Sequence, residues 1–294
     1  MLHLLLASAL LLQNPAPPPL PGAKPAPTVQ SELKPLVPGA LPEDASAQVR
    51  ALWQPFCAAT LAPKATRTPI VAFDLVLDAR IRNAENQSNE NSTPLRYRFQ
   101  KPDWVRAMTE HGYELLHGPE GDFLIDPKRG NTRLAVGREG EQDRKQLAEI
   151  SDLARNFIAL TDPSALRIAE LKIGSADPAL SPAPQALDWL EILTPDFRMP
   201  GSAPTGMLRV QLGLSRDKHL PELCLVGEAG ARPATLIRAK DYREKQGLLV
   251  PHDLALFPFD KASGKFPEQP PLQLWLKKES DLRPQFKPET FTPR

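Results

Sequence analysis

The chain has 294 residues, 41% of them apolar and 24% charged, with a net charge of +1. Lysine and arginine are interleaved with aspartate and glutamate and no basic stripe appears, which argues against a nucleic-acid partner. A chain of this size buries roughly 70–75% of its unfolded surface, so it needs no metal or disulfide to fold, and one large β-rich domain accounts for it.

Leu2 to Leu12 (LHLLLASALLL) carries no charged side chain. It is too short for a membrane span, which takes about 20 residues, and it fits the apolar region of a secretory signal peptide. Residues 1–14 are therefore read as a signal peptide; export is expected, and an integral membrane span is not. From Pro15 to Pro42, ten of 28 residues are proline. Proline fixes φ and lacks a donor, so residues 15–42 are expected to form an extended spacer. The folded domain is placed at residues 43–294.

Pro42 to Ala59 is predicted as a helix, with Glu43 and Asp44 in its first turn and Val49, Leu52, Trp53 and Phe56 at helical spacing. Pro55 is expected to kink it or end it early. The period then changes to two. Val71, Phe73, Leu75, Leu77, Ala79 and Ile81 alternate with polar residues, as do Leu95, Tyr97 and Phe99, predicting two antiparallel strands around a polar loop at Asn83–Asn91. Asp74 and Asp78 share one strand face, expected to be outer and wet. Further strands are predicted at Trp104–Glu110, Tyr113–His117, Asp122–Asp126 and Thr132–Val136.

Arg138 to Leu160 carries an apolar stripe of Leu147, Ile150, Leu153, Phe157 and Ile158, the pattern of an amphipathic helix. Asp162-Pro163 is expected to open a second helix through about Leu171. Strands resume at Ala186–Leu193, Met207–Leu214, Glu222–Gly227, Ala234–Lys240, Gly247–Pro251, Leu254–Phe259 and Leu272–Lys277, and a polar tail from Glu279 is expected to wrap the surface. The fold class is mostly β with α insertions: a large curved antiparallel sheet, an unclosed barrel, with one face dry, one wet and a helical lid over the inner face.

Little catalytic chemistry is visible. No phosphate loop, nucleophile elbow or metal-ligand spacing is present, so no cofactor, metal or catalytic residue is assigned and the protein is read as non-enzymatic. His111 and His117 are expected near each other in a hairpin, and with His252 they are the best candidates for an unrecognised hydrolase site. Cys57 and Cys224 are either two buried thiols or one long-range disulfide. Phe73, Leu75, Leu77, Tyr97, Phe99, Trp104, Leu208, Val210 and Leu212 either fill a core or line a cavity for an apolar ligand.

The run Arg96-Tyr97-Arg98-Phe99-Gln100-Lys101-Pro102-Asp103-Trp104-Val105-Arg106 resembles the early strands of outer-membrane lipoprotein carriers of the LolA/LolB type, and Glu114 to Asp126 looks like a variant of the turn-bearing strand that follows. The element order agrees over most of residues 45–290. The resemblance implies a periplasmic protein whose unclosed barrel holds acyl chains, or a lipoprotein, in an apolar cavity. Leu147, Ile150, Leu153, Phe157 and Ile158 would form its lid, and Lys101 would stand for the basic residue linked to lid closure. Three readings stay open: an acyl-chain carrier or sensor, an envelope interaction module with a filled core and a protein partner, and a hydrolase.

Overall fold

In the computed structural model the described residues are 36–63, 65–66, 68–81, 93–101, 104–134, 155–180, 186–197 and 206–293. Leu2–Leu12, most of the proline-rich segment, and Leu147, Ile150 and Leu153 fall outside them.

Helix α1 runs Ala47–Ala59 and buries Val49, Trp53 and Phe56, the face that their spacing predicts. It starts later than Pro42. Ser46 is the N-cap, its Oγ accepting the Val49 amide at 3.3 Å, because a side-chain oxygen satisfies an amide that the helix itself cannot. Glu43 and Asp44 lie in the turn before it, closed by the Ala45 amide on the Pro42 carbonyl at 3.1 Å. Pro55 does not stop the helix, which continues to Ala59. The carbonyl that Pro55 leaves without a helical donor belongs to Ala51, an exposed residue that water can serve. Packing also begins before Pro42: the Gly39 amide donates to the Leu166 carbonyl at 2.8 Å. Gly39 has φ +75, and a Cβ there would stand 2.5 Å from the Ser164 carbonyl oxygen.

Six strands follow: β1 (Ala72–Ile81), β2 (Thr93–Gln100), β3 (Trp104–Thr109), β4 (Glu114–Gly118), β5 (Gly121–Asp126) and β6 (Gly130–Arg133). Residues 155–161 are helical and are called α2. Seven more strands complete the chain: β7 (Glu170–Ile173), β8 (Leu187–Thr194), β9 (Leu208–Ser215), β10 (Pro221–Glu228), β11 (Thr235–Lys245), β12 (Leu248–Pro258) and β13 (Leu272–Leu276). All thirteen form one sheet in the order β6-β5-β4-β3-β2-β1-β13-β12-β11-β10-β9-β8-β7, and every pairing is antiparallel. The sheet is not closed, as expected.

This topology decides where α2 goes. The first and last strands meet at the sheet's centre, β1 on β13 from Leu77↔Leu276 to Ile81↔Leu272. The two edges, β6 and β7, are consecutive strands of the chain. The chain between β6 and β7 therefore joins the two edges of the sheet. Its described part, α2, rests on the middle of the inner face, with Phe157 and Leu160 among side chains of β1, β2, β11, β12 and β13.

The main core occupies that inner face, and Phe73, Leu75, Phe99, Leu190, Val210, Val226 and Leu274 all belong to it. The opposite face is not wholly wet, contrary to expectation. Leu187, Trp189, Leu225, Leu236, Ala255 and Phe257 form a second buried cluster there. Gly213 makes room for it, since a Cβ would meet Leu187 at 2.9 Å and the Trp189 ring at 3.0 Å.

Three further expectations change. The helix predicted from Asp162 to Leu171 is only a 3-10 turn, Pro163–Ala165, followed by extended chain into β7. The Arg167 amide, which a continuing helix would turn inward, donates instead to the Asp196 carboxylate, which also takes the Arg167 guanidinium at 2.9 and 2.6 Å. The strands predicted at Gly247–Pro251 and Leu254–Phe259 are one strand, β12. Its ladder to β13 covers only Asp253–Leu256, so Pro251 stands where the strand is paired on one side.

The tail, finally, is more than a polar wrapping. Leu282 and Phe291 are fully buried, and Phe291 packs against Trp104 at 5.8 Å and Phe286 at 5.3 Å. Gly118 is required beneath it, because a Cβ would lie 2.1 Å from the Phe291 carbonyl oxygen. The tail also changes the surroundings of Asp74, whose backbone pairs with Asp281. Asp74 is buried, not wet. Its carboxylate accepts from Arg96 at 2.7 and 2.6 Å and from Arg98 at 3.1 Å.

Candidate functional site

Of the nine cavity candidates, Phe73, Leu75, Leu77 and Tyr97 line one space and Phe99 another, while Leu208, Val210 and Leu212 line neither. Phe73, Leu75, Leu77, Tyr97, Phe99, Leu208, Val210 and Leu212 are buried in the single inner-face core. Trp104 does not join them. Val105 and Ala107 point to that core, so Trp104 faces the other side of the sheet and packs on Phe291.

Two spaces adjoin α2. The first is a small void of about 20 Å³ between α2 and the sheet, lined by Phe73, Leu75, Leu77, Tyr97, Phe157 and Leu160 and by Ile237, Leu254, Leu256 and Leu274 behind them. Room for one water takes about 10–15 Å³, so this void is far smaller than an acyl chain. The second is a groove of about 370 Å³ on the other side, floored by Phe99, Ile158 and Leu166 and rimmed by Lys101, Arg167 and Asp196. Small-molecule pockets run from about 300 to 1,000 Å³, and the groove falls within that range.

The helix α2 lies between the two spaces, with Asn156, Phe157 and Leu160 toward the void and Arg155, Ile158, Ala159 and Asp162 toward the groove, and an aromatic cluster packs beside it. Phe73 stacks on Phe99 with centroids 5.2 Å apart and meets Phe157 edge-on at 5.7 Å. Phe73 and Phe157 face the void, and Phe99 faces the groove. Strand alternation puts them together: Phe73↔Phe99 is a cross-strand pair, as is Leu75↔Tyr97.

Residues 156–161, the described end of the predicted lid, are all buried, Phe157 and Ile158 among them; Leu147, Ile150 and Leu153 lie outside the described residues. Ile237, Leu254, Leu256 and Leu274 were not among the expected site residues. Each stands in a strand legible as such, but only the β1–β13 pairing brings them beside Leu75 and Leu77, and no local pattern encodes that pairing.

Five charged residues line the groove, Lys101, Arg155, Asp162, Arg167 and Asp196, and Asp162 is fully buried. Burial pushes the Tyr97 phenol up to about 12, so it stays protonated at neutral pH. Lys101 directly follows β2, its amide donating to the Val71 carbonyl at 2.9 Å, and the residue is exposed at the groove. Asp196 holds the Arg167 guanidinium above its usual range by hydrogen bonding. Ser164 Oγ donates to Asp162 at 2.7 Å.

The other candidates do not converge. His111 lies in the turn before β4 and His117 near the far end of β4, so they are not neighbours, and His117 Nδ1 is 2.6 Å from Asp122. His252 stands on β12, five strands away in the sheet order. No disulfide joins Cys57 and Cys224, and burial raises the Cys224 thiol well above its usual range.

His252 gives the domain a pH dependence. It is buried, and its Nδ1 lies 3.0 Å from the Leu276 carbonyl, to which it donates. Burial lowers its pKa, outweighing the Leu276 hydrogen bond, and Arg243 and Lys245 lower it further. The folded state thus resists a proton that the unfolded chain accepts below about pH 6.5. The stabilisation is complete above that pH and is lost as pH falls through the lowered folded value. Urea midpoints at about pH 7 and about pH 5 should fall further for wild type than for His252→Gln; equal falls would contradict this.

No family model matches the chain, and no curated protein matches it. Among solved structures it is similar to one described as an outer membrane lipoprotein-sorting protein domain from Vibrio parahaemolyticus, at 12% identity over 82% of this chain and 94% of that one, with a TM-score of 0.43. It is similar to a LolA superfamily protein from Nitrosomonas europaea at 11% identity, over 81% and 96% of the two chains, with a TM-score of 0.43. A DUF1329 family protein from Desulfovibrio piger follows at 8% identity, over 83% and 97%, with a TM-score of 0.40.

Proposed function

We propose that this protein is an exported, non-enzymatic carrier or sensor that binds an acyl chain, free or lipoprotein-borne, between α2 and the inner face of its sheet. The observation that carries this reading is the pair of spaces on either side of Phe73, Phe99 and Phe157. A chain that passes from the ligand-sized groove to the apolar void must displace both these rings and part of α2, which borders both spaces. A chain entering there meets carbon on nearly every side and gains about 0.8 kcal/mol per buried CH₂. The α2 backbone takes no part in the sheet's hydrogen bonding, so the helix can shift without breaking a ladder. The resemblance of residues 96–126 to lipoprotein carriers names the same ligand class, and the leader-like Leu2–Leu12 fits a periplasmic location.

A second reading, an envelope interaction module with a filled core and a protein partner, is favoured by the small void and by the burial of residues 156–161. Native mass spectrometry of protein purified from its own envelope separates the two. The carrier reading expects a bound species of lipid mass, or uptake of added palmitate. Neither being found would favour the module.

A further inference from the structure

The geometry points to Lys101 as the anchor for an anionic head group on a single acyl chain whose tail enters the groove between Phe99 and Ile158. This rests on the acyl-chain reading above and adds the ligand's charge and orientation. Three observations meet at this rim.

The first is charge. Among the charged residues lining the groove, Arg167 is held by Asp196, the buried Asp162 accepts from Ser164 and Arg155 has a partner of its own, whereas no ion-pair or hydrogen-bond partner is found for the Lys101 ammonium among the described residues. An ammonium at the mouth of an apolar-floored groove attracts an anion, and partial desolvation there strengthens the pair over one in open water.

The second is the apolar rim. Only three large apolar residues among those described are strongly exposed: Val37 at 62%, Val71 at 57% and Ile173 at 46%. Neither Val37 nor Val71 lines the groove itself, but each is tied through its backbone to a residue that does. Val71 accepts the Lys101 amide through its carbonyl, and Val37 precedes Pro38, which lines the groove. Exposed apolar side chains beside a cation match an amphiphile, whose charge and first methylenes lie side by side.

The third is direction. From Lys101, the side chains on the same face of β2 run to Phe99 and then Tyr97. Phe99 lines the groove and Tyr97 the small void. A head group on Lys101 therefore aims its chain along β2 toward the void, past the aromatic cluster.

The test titrates the full chain with laurate, with dodecanol as the uncharged ligand of equal chain length, and with acetate as the head group alone. Laurate should bind about tenfold more tightly than dodecanol, and acetate should not bind measurably. Lys101→Glu should remove that preference, Lys101→Arg should keep it, and Lys261→Glu in the remote turn after β12 should keep it too. An unaltered urea midpoint for Lys101→Glu establishes that its fold is intact. Equal laurate and dodecanol affinities, or laurate affinity indifferent to Lys101→Glu, would overturn the head-group assignment and leave acyl-chain binding standing. Acetate binding as tight as laurate would make this a small-anion site and overturn the amphiphile. Failure of both laurate and dodecanol to bind would overturn the acyl-chain reading and this inference together.

Discussion

Phe157→Ala is expected to cost about 3–5 kcal/mol of stability, the range for truncating a buried phenylalanine. Phe157 is 3% exposed, touches Phe73 edge-on and lines the small void. Its removal deletes the ring contact and enlarges a space that packing has nearly filled. A second effect has the opposite sign. The enlarged space adjoins the Phe99 side of the groove, so the variant should bind small apolar ligands more tightly than wild type even as its urea midpoint falls. Apolar cavities of this origin stay dry and accept such guests. A loss under about 1 kcal/mol would mean that the ring is not packed as described. A full loss with no gain in ligand uptake would mean that void and groove do not communicate.

Asp74→Ala is the second large effect. The Asp74 carboxylate, with its side chain 10% exposed, is shared by Arg96 and Arg98. Its removal leaves two guanidinium groups on neighbouring positions of β2 facing each other without a counter-charge. Breaking a buried pair costs about 3–5 kcal/mol, but the Arg96 side chain is 45% exposed and water recovers part of that. The expected loss is about 2–4 kcal/mol after this discount. It should shrink when Arg96 is also replaced by alanine, because the stranded charge goes with it. Additive single and double losses in urea denaturation would contradict a coupled network.

The strands were largely legible in the sequence, and their order was not. In Phe73–Ala79, Leu95–Phe99 and Leu208–Leu214 the alternation is clean, and each segment is a strand with its apolar face on the main core. The parity of β3 was ambiguous, because Trp104 and Val105 are adjacent and both apolar. Register on β2 resolves it, with Phe99↔Val105 and Gln100↔Trp104, and Trp104 falls on the outer face. Phe291 carried no local signal, since it stands in a polar, proline-bearing tail and is buried only because that tail crosses Gly118. The Arg167 turn failed for a similar reason. Leu166, Ile168 and Leu171 fit a helix locally, and a carboxylate 29 residues away captured the amide.

The candidate site divides in the same way. Phe73, Leu75, Leu77, Tyr97 and Phe99 share one periodic face and were found by it. Ile237, Leu254 and Leu274 needed the β1–β13 pairing, a contact between the two ends of the domain that periodicity does not carry. Phe157 and Ile158 were placed on a lid stripe, and both lie against the inner face. Residues 156–161 are buried, and the rest of the predicted stripe, Leu147, Ile150 and Leu153, lies outside the described residues. Lys101 came from family resemblance alone. Its place on a ligand-sized groove is a property of the folded chain.

The central claim is that an acyl chain occupies the space between α2 and the inner face, and crosslinking tests it most directly. A fatty acid carrying a photoreactive diazirine at mid-chain, equilibrated with the full chain and irradiated, should label Phe73, Leu75, Phe99, Phe157 or Leu274. An excess of palmitate should suppress that labelling. Label confined to the outer face around Trp104 and Phe291, label that palmitate does not suppress, or no label at all would contradict it.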